Sequence, residues 1–226
     1  MLLPAEFVDF AERNGLIAAL TSWVFERVSL DILSARSLPA GYRIYFNLAA
    51  SMLEDVTFIG AVSAALREQP FLAQHLGIEV TESAAMANVD RSMNTIALFR
   101  SWGLHVAIDH FGTGHSSLAY LKRLKVDVVK IDRSFVAGLP DDDRDGEVAD
   151  MLLRVIARFG FATLAEGIET EAQAEWLLVH GCRFGQGFLV AAPRSFAELL
   201  DRSGLPRTQK ASIMVPRAAN RLRAGD

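Results

Sequence analysis

Cysteine is nearly absent from this chain of 226 residues. The single residue, Cys182, excludes a disulfide within the chain and fits a reducing compartment, so a cytoplasmic location is expected. Long apolar runs are missing too: no uninterrupted stretch approaches the roughly 20 residues that span a bilayer. Basic charge is not in excess. Lys and Arg number 23 against 27 Asp and Glu, which argues against a nucleic-acid polymer as partner. The first residues carry Glu6 and Asp9 with no basic cluster, so a signal peptide is not expected there. What remains is 51% hydrophobic and 22% charged, enough to bury the core of one α/β domain.

Apolar strand-like runs alternate with helical patterns, the signature of a βα-repeating fold. Strands are expected over 43–48, 76–80, 105–109, 126–131, 161–165 and around 183–189. Helices are expected over 4–13, 15–35, 58–68, 90–102, 145–159 and 171–179. Gly103, Gly160 and Gly181 follow helical patterns as C-terminal caps do, and Thr170 before Glu171 suits an N-cap. Beyond Ser203 the periodicity stops. Residues 201–226, with Arg207, Lys210, Arg217, Arg221 and Arg223, read as a solvated, partly disordered basic tail after a domain spanning 1–200.

Polar groups recur where these strands end. Asn47, Glu79, Asp109 and Glu166 are oxygen donors of the kind Mg²⁺ or Mn²⁺ takes. Strands of a parallel barrel place such residues on one rim, whatever their separation in the chain. Each has an ordinary alternative. Asn47 suits a turn, Glu79 and Glu82 a capping pair, Asp132 a turn cap, and Glu166 to Glu169 an anionic loop. Lys130, set among Val128, Val129 and Ile131, is harder to dismiss, because a buried ammonium requires a counter-charge.

Two segments carry a resemblance. Ile108-Asp109-His110-Phe111-Gly112-Thr113-Gly114-His115-Ser116-Ser117-Leu118 reads as a strand, a Gly-rich loop and a short helix. Val129-Lys130-Ile131-Asp132-Arg133-Ser134-Phe135-Val136 reads as a strand ending in Lys-x-Asp. Together with Phe46-Asn47-Leu48, Ile78-Glu79-Val80 and Glu166-Gly167-Ile168-Glu169, they resemble the EAL domain family, phosphodiesterases that linearise cyclic di-GMP. The resemblance implies a TIM-barrel-like (β/α) fold in which the first two strands are missing from this chain. It matches Asn47, Glu79, Asp109 and Glu166 to metal ligands and Lys130 to the lysine that orients water. It also matches Gln186 to a glutamine beside that water, Asp132 and Glu169 to supporting and loop-ordering acids, and Glu82 to an acid steadying the Gly-rich loop.

The same comparison exposes departures. The family motif reads Asp-Asp-Phe-Gly-Thr-Gly and both acids bind metal, whereas the second acid here is His110. The strand carrying the Glu-Ala-Leu motif, another metal ligand, is expected to precede Met1, so the chain is either a truncated product or part of a longer protein. Asp9 stands for a common proline, His115 for a tyrosine and Phe188 for a tyrosine. A neutral imidazole offers one nitrogen and no negative charge, so a two-metal site should assemble poorly. His110 and His115 are read as loop residues rather than new ligands. Three functions stay open: a degenerate cyclic di-GMP binding and regulatory module, an active phosphodiesterase yielding linear pGpG, and a remnant without ligand. A homodimer or a regulatory partner domain is compatible with the first two. Unpaired sheet edges predict low stability alone or pairing with a partner.

Overall fold

Apolar runs become the strands of one parallel sheet. Residues 4–35, 38–113, 121–196 and 198 are described in this structure, a computed structural model. Strands β1 (Ile44–Asn47), β2 (Leu76–Thr81), β3 (His105–Phe111), β4 (Val128–Ile131), β5 (Ala162–Ala165) and β6 (Phe184–Gly185) pair in chain order, every neighbour parallel. Strict sequential order, with helices in the connections, is the arrangement of a TIM-barrel-like sheet. Among the described residues the α-helices are α1 (Pro4–Arg13), α2 (Ile17–Ser34), α3 (Val56–Glu68), α4 (Phe71–His75), α5 (Glu82–Ala87), α6 (Val89–Ser101), α7 (Asp143–Arg158) and α8 (Glu171–Val179).

Side-chain chemistry explains where the longer helices start. Asp55 accepts from the N–H groups of Thr57 and Phe58 at the head of α3. Asp142 does the same for Arg144 and Asp145 at the head of α7. Each such cap contributes about 1 kcal/mol. Strands β2, β3 and β4 are buried on both faces: Leu76, Ile78, Val80, Val106, Ile108, Val129 and Ile131 line one, and Gly77, Ala107 and Lys130 lie on the other. That two-sided burial is why the strands read as near-continuous apolar runs. Among the described residues no helix is long and apolar enough to cross a membrane.

The sixth strand is shorter than expected. Only Phe184–Gly185 pairs with β5, whereas a strand was expected around 183–189. After Gly185 the chain turns over the β5 loop: Ile168 N–H donates to the Gln186 carbonyl and Leu189 N–H to the Ile168 carbonyl. Those bonds replace a ladder. The expected helix after the Gly-rich loop, His115 and the basic tail lie outside the described residues.

At the N-terminal end of the sheet one acid ties three strands together. Asp127 accepts from Arg100 Nε at 3.1 Å and Nη2 at 2.8 Å, and from the Val106 N–H at 2.9 Å. Its own carbonyl accepts from Ala162 N–H at 3.2 Å. Beside it the Tyr45 hydroxyl lies 2.5 Å from His105 Nδ1. Asp127→Ala is expected to cost about 2–3 kcal/mol, because it strands the N–H of buried Val106 and removes both bonds to Arg100. Urea denaturation of the two proteins measures it, and a loss below about 0.5 kcal/mol would place the junction elsewhere.

Candidate functional site

Four strands deliver charge to one end of the sheet: Glu79 from β2, Asp109 from β3, Lys130 from β4 and Glu166 just past β5. Lys130 is 3% exposed, and its ammonium sits between the three carboxylates. Nζ lies 2.8 Å from Glu79 Oε2, 2.7 Å from Glu166 Oε1 and 3.2 Å from Asp109 Oδ1. Burial opposes the charge on Lys130, yet Glu79, Asp109 and Glu166 outweigh it and hold the ammonium above the ordinary lysine value. Burial dominates the two glutamates in turn. It raises Glu79 and Glu166 above the usual carboxylate range, and Lys130 offsets this only in part. Three acids around one cation remain short of positive charge.

A bulge shapes the next residues. Ala107 and Ile108 pair with Val128 and Val129, but Phe111 pairs with Ile131, so β3 spends three residues where β4 spends two. The extra residue is accommodated by His110 in the left-handed region, at φ +54°. Regular alternation sends neighbouring side chains to opposite faces. The bulge breaks that alternation, which is how Asp109 and His110 both reach the rim. His110 Nδ1 lies 2.7 Å from Asp132 Oδ2, and its Nε2 is 3.8 Å from Asp109 Oδ2. Burial lowers the proton affinity of His110, but Asp132, Asp109 and Glu166 outweigh it and raise it above the usual imidazole value. Burial works to raise Asp132, and the Ser134 N–H with His110 outweighs it, so that carboxyl titrates low.

The expected site residues divide by position. Glu79, Asp109, Lys130 and Glu166 converge, and Gln186 joins them by donating Nε2–H to Glu166 Oε1 at 2.6 Å. Glu82 is buried and accepts from the Gly112 N–H at 3.0 Å, on the Gly-rich loop. Its other oxygen has no partner among the described residues. Asn47 sits opposite Glu79 in the β1–β2 register, exposed, with no side-chain bond among the described residues. Glu169 takes part through its backbone N–H, which donates to Gln173 Oε1. Its exposed side chain makes no ion pair or hydrogen bond among the described residues. Phe188 is 72% exposed beyond Gln186, and Asp9 is a surface residue of α1.

Gln173 was missed from the sequence, although Thr170-x-x-Gln173 is a legible capping box. Its Oε1 accepts from Glu169 and Thr170, and its Nε2 donates to the carbonyls of Val136 and Ala137. It thereby clamps the loop after β5 to the loop after β4. Asp109, His110 and Glu166 each offer one donor atom, all within 4.8 Å of one another, a grouping able to hold a metal ion.

Comparison with known proteins agrees with this geometry. The EAL domain model matches residues 1–193. The chain is 37% identical over 202 residues to the cyclic di-GMP phosphodiesterase NbdA of Pseudomonas aeruginosa, covering 88% of this chain and 26% of that protein. It is 34% identical to the probable cyclic di-GMP phosphodiesterase PdeN of Escherichia coli, covering 84% of this chain and 37% of that protein. The chain thus spans between about a quarter and two fifths of these relatives' length. Its fold superposes on the PaMucR phosphodiesterase–c-di-GMP complex with a TM-score of 0.79 at 34% identity, over 88% of this chain and 81% of that one. The EAL domain of Mycobacterium smegmatis DcpA gives 0.74 at 34% identity, over 82% and 84%. By the matched model, the identity and the rim of acids around Lys130, this chain belongs to the EAL domain family.

Proposed function

We propose that this EAL domain binds cyclic di-GMP and acts as a regulatory module with weak or absent hydrolysis. The observation that carries the reading is the bulge at Asp109–His110. It points a second side chain at the rim, as two-metal chemistry requires, but that side chain is an imidazole. A carboxylate can bridge two ions, whereas a single ring nitrogen cannot. Binding demands less than turnover, because only turnover requires ions placed for the transition state.

The donor set fits a divalent cation. Asp109, His110 and Glu166 would hold it, with Asn47 and Glu79 alongside, and the surplus of acids over Lys130 supplies the charge that attracts it. When bound, such an ion supplies Lewis acidity toward a phosphate oxygen. Lys130 offers a fixed positive charge to the phosphodiester, Gln186 orients Glu166, and Glu82 holds the Gly-rich loop at Gly112. Asp132 orients His110. Glu169 shapes the loop after β5 through its backbone. The relatives named as cyclic di-GMP phosphodiesterases, and the PaMucR complex with c-di-GMP, support that ligand.

Calorimetric titration of cyclic di-GMP into the protein, with Ca²⁺ present to suppress turnover, tests the reading. Saturable binding with little or no pGpG formed in Mg²⁺ is expected. A folded sample that binds nothing would overturn it. Lys130 with its three carboxylates favours one second reading, a working phosphodiesterase, and pGpG accumulating in Mg²⁺ would select it.

A further inference from the structure

His110 has more in its favour as a ligand than as a loop residue. Its φ of +54° lies in the left-handed region, at the bulge where β3 meets β4. Its Nδ1 lies 2.7 Å from Asp132 Oδ2, and an ionised carboxylate only accepts. Nδ1 is therefore the protonated nitrogen. Nε2 is then the nitrogen that faces Asp109 Oδ2, at 3.8 Å. That gap is too long for a hydrogen bond. Two donors sharing one small cation at ~2.0–2.2 Å each stand about 3–4 Å apart.

The oxygens divide in a matching way. Lys130 takes Asp109 Oδ1 and Glu166 Oε1, and Gln186 also binds Glu166 Oε1. Asp109 Oδ2 faces His110 rather than Lys130. A carboxylate on Nδ1, the ring, and an open Nε2 form the sequence Asp132–His110–metal, the arrangement by which proteins orient metal-binding imidazoles. Half of the His110 side chain is open to solvent, so an ion has access.

We propose that His110, oriented by Asp132, joins Asp109 and Glu166 in a single-ion site of mixed nitrogen and oxygen donors that takes a borderline transition-metal dication such as Zn²⁺ in preference to Mg²⁺. Imidazole favours zinc-class ions, and Mg²⁺ gains little from it. The proposal rests on the reading of this rim as a metal site and specifies which ion it selects.

The experiment needs no nucleotide. Metal-free protein is titrated calorimetrically with Zn²⁺ and, separately, Mg²⁺, for the native chain, His110→Ala, His110→Asp and Asp132→Asn, with circular dichroism confirming that each is folded. The native chain is expected to bind one Zn²⁺ about 100-fold more tightly than Mg²⁺. His110→Ala should lose that site for Zn²⁺ and leave Mg²⁺ affinity near its starting value. Asp132→Asn should weaken Zn²⁺ about 10-fold or more through the loss of ring orientation. His110→Asp should shrink the Zn²⁺ to Mg²⁺ ratio at least about 10-fold by raising Mg²⁺ affinity. Equal Zn²⁺ affinity in the native chain and His110→Ala would overturn the proposal, as would an unchanged ratio in His110→Asp. Because no cyclic di-GMP is present, either failure leaves the nucleotide-binding result to stand or fall on its own titration.

Discussion

Lys130→Ala is expected to destabilise the domain by about 3–5 kcal/mol in metal-free buffer at pH 8, the cost of removing one partner from a buried ionic cluster. The ammonium is 3% exposed and lies within 3.2 Å of three carboxylates. Without it Glu79, Asp109 and Glu166 face one another across a partly buried rim. The loss has a characteristic pH dependence. Burial already raises Glu79 and Glu166 above their ordinary values, and losing Lys130 raises them further. A carboxyl raised in the folded state binds more protons there than in the unfolded chain. Stability therefore falls as pH rises from the unfolded value, about 4.3, through the folded one. The deficit of Lys130→Ala should be smaller at pH 5 than at pH 8. Native Lys130 contributes constantly across that window, because its own raised value lies far above it. Millimolar Mn²⁺ should return part of the lost stability at pH 8 by supplying the missing positive charge. Lys130→Met, which keeps the apolar stem, separates charge from packing. Urea denaturation at both pH values decides the matter: a deficit under about 1 kcal/mol, or one that is equal at pH 5 and 8, would show that the ammonium is not what the acids require.

Much of this rim was legible in the sequence, and the reasons are physical. Lys130 sits in a four-residue apolar strand, so its burial and its need for acids follow from strand geometry alone. Glu79, Asp109 and Glu166 were readable because parallel strands end on a common edge. The strand and helix positions followed apolar periodicity, and boundaries moved by one to three residues where capping decided them, as at Asp55 and Asp142. The short helices Phe71–His75 and Glu82–Ala87 were not anticipated, since five or six residues hold too little periodicity to register. The bulge was hidden for another reason. Whether His110 adopts a positive φ depends on how β3 meets β4, a long-range property that its own neighbours do not encode. The bond from His110 to Asp132, 22 residues away, is hidden likewise. Glu169 was matched to a loop-ordering acid, and what ties it into the loop here is a backbone bond, its N–H to Gln173 Oε1.

Gly187→Ala should act nearly as strongly as Lys130→Ala and from outside the charged cluster. A Cβ at Gly187 would overlap the backbone nitrogen, carbonyl carbon and oxygen of Ile168. Neither backbone is free to retreat. Ile168 N–H is bonded to the Gln186 carbonyl at 3.0 Å, and the Ile168 carbonyl accepts from Leu189 N–H at 3.0 Å. Ile168 is itself 1% exposed and anchored in the core, with its side chain against Gly185. Relieving the overlap must part the loop after β5 from the chain after β6, and that separation breaks both hydrogen bonds. A cost of about 3 kcal/mol or more is expected, as for overpacking against a fixed backbone with loss of two bonds. The same displacement carries Gln186 away from Glu166, now held at 2.6 Å, so cyclic di-GMP and metal affinity should fall together with stability. Gln186→Ala tells the two effects apart, because it removes the amide and leaves the backbone undisturbed. Thermal denaturation should show Gly187→Ala melting far below Gln186→Ala. Near-equal melting temperatures for Gly187→Ala and the native chain would mean that the β5 and β6 loops are not locked together, and that Gln186 owes its position to its side-chain bond alone.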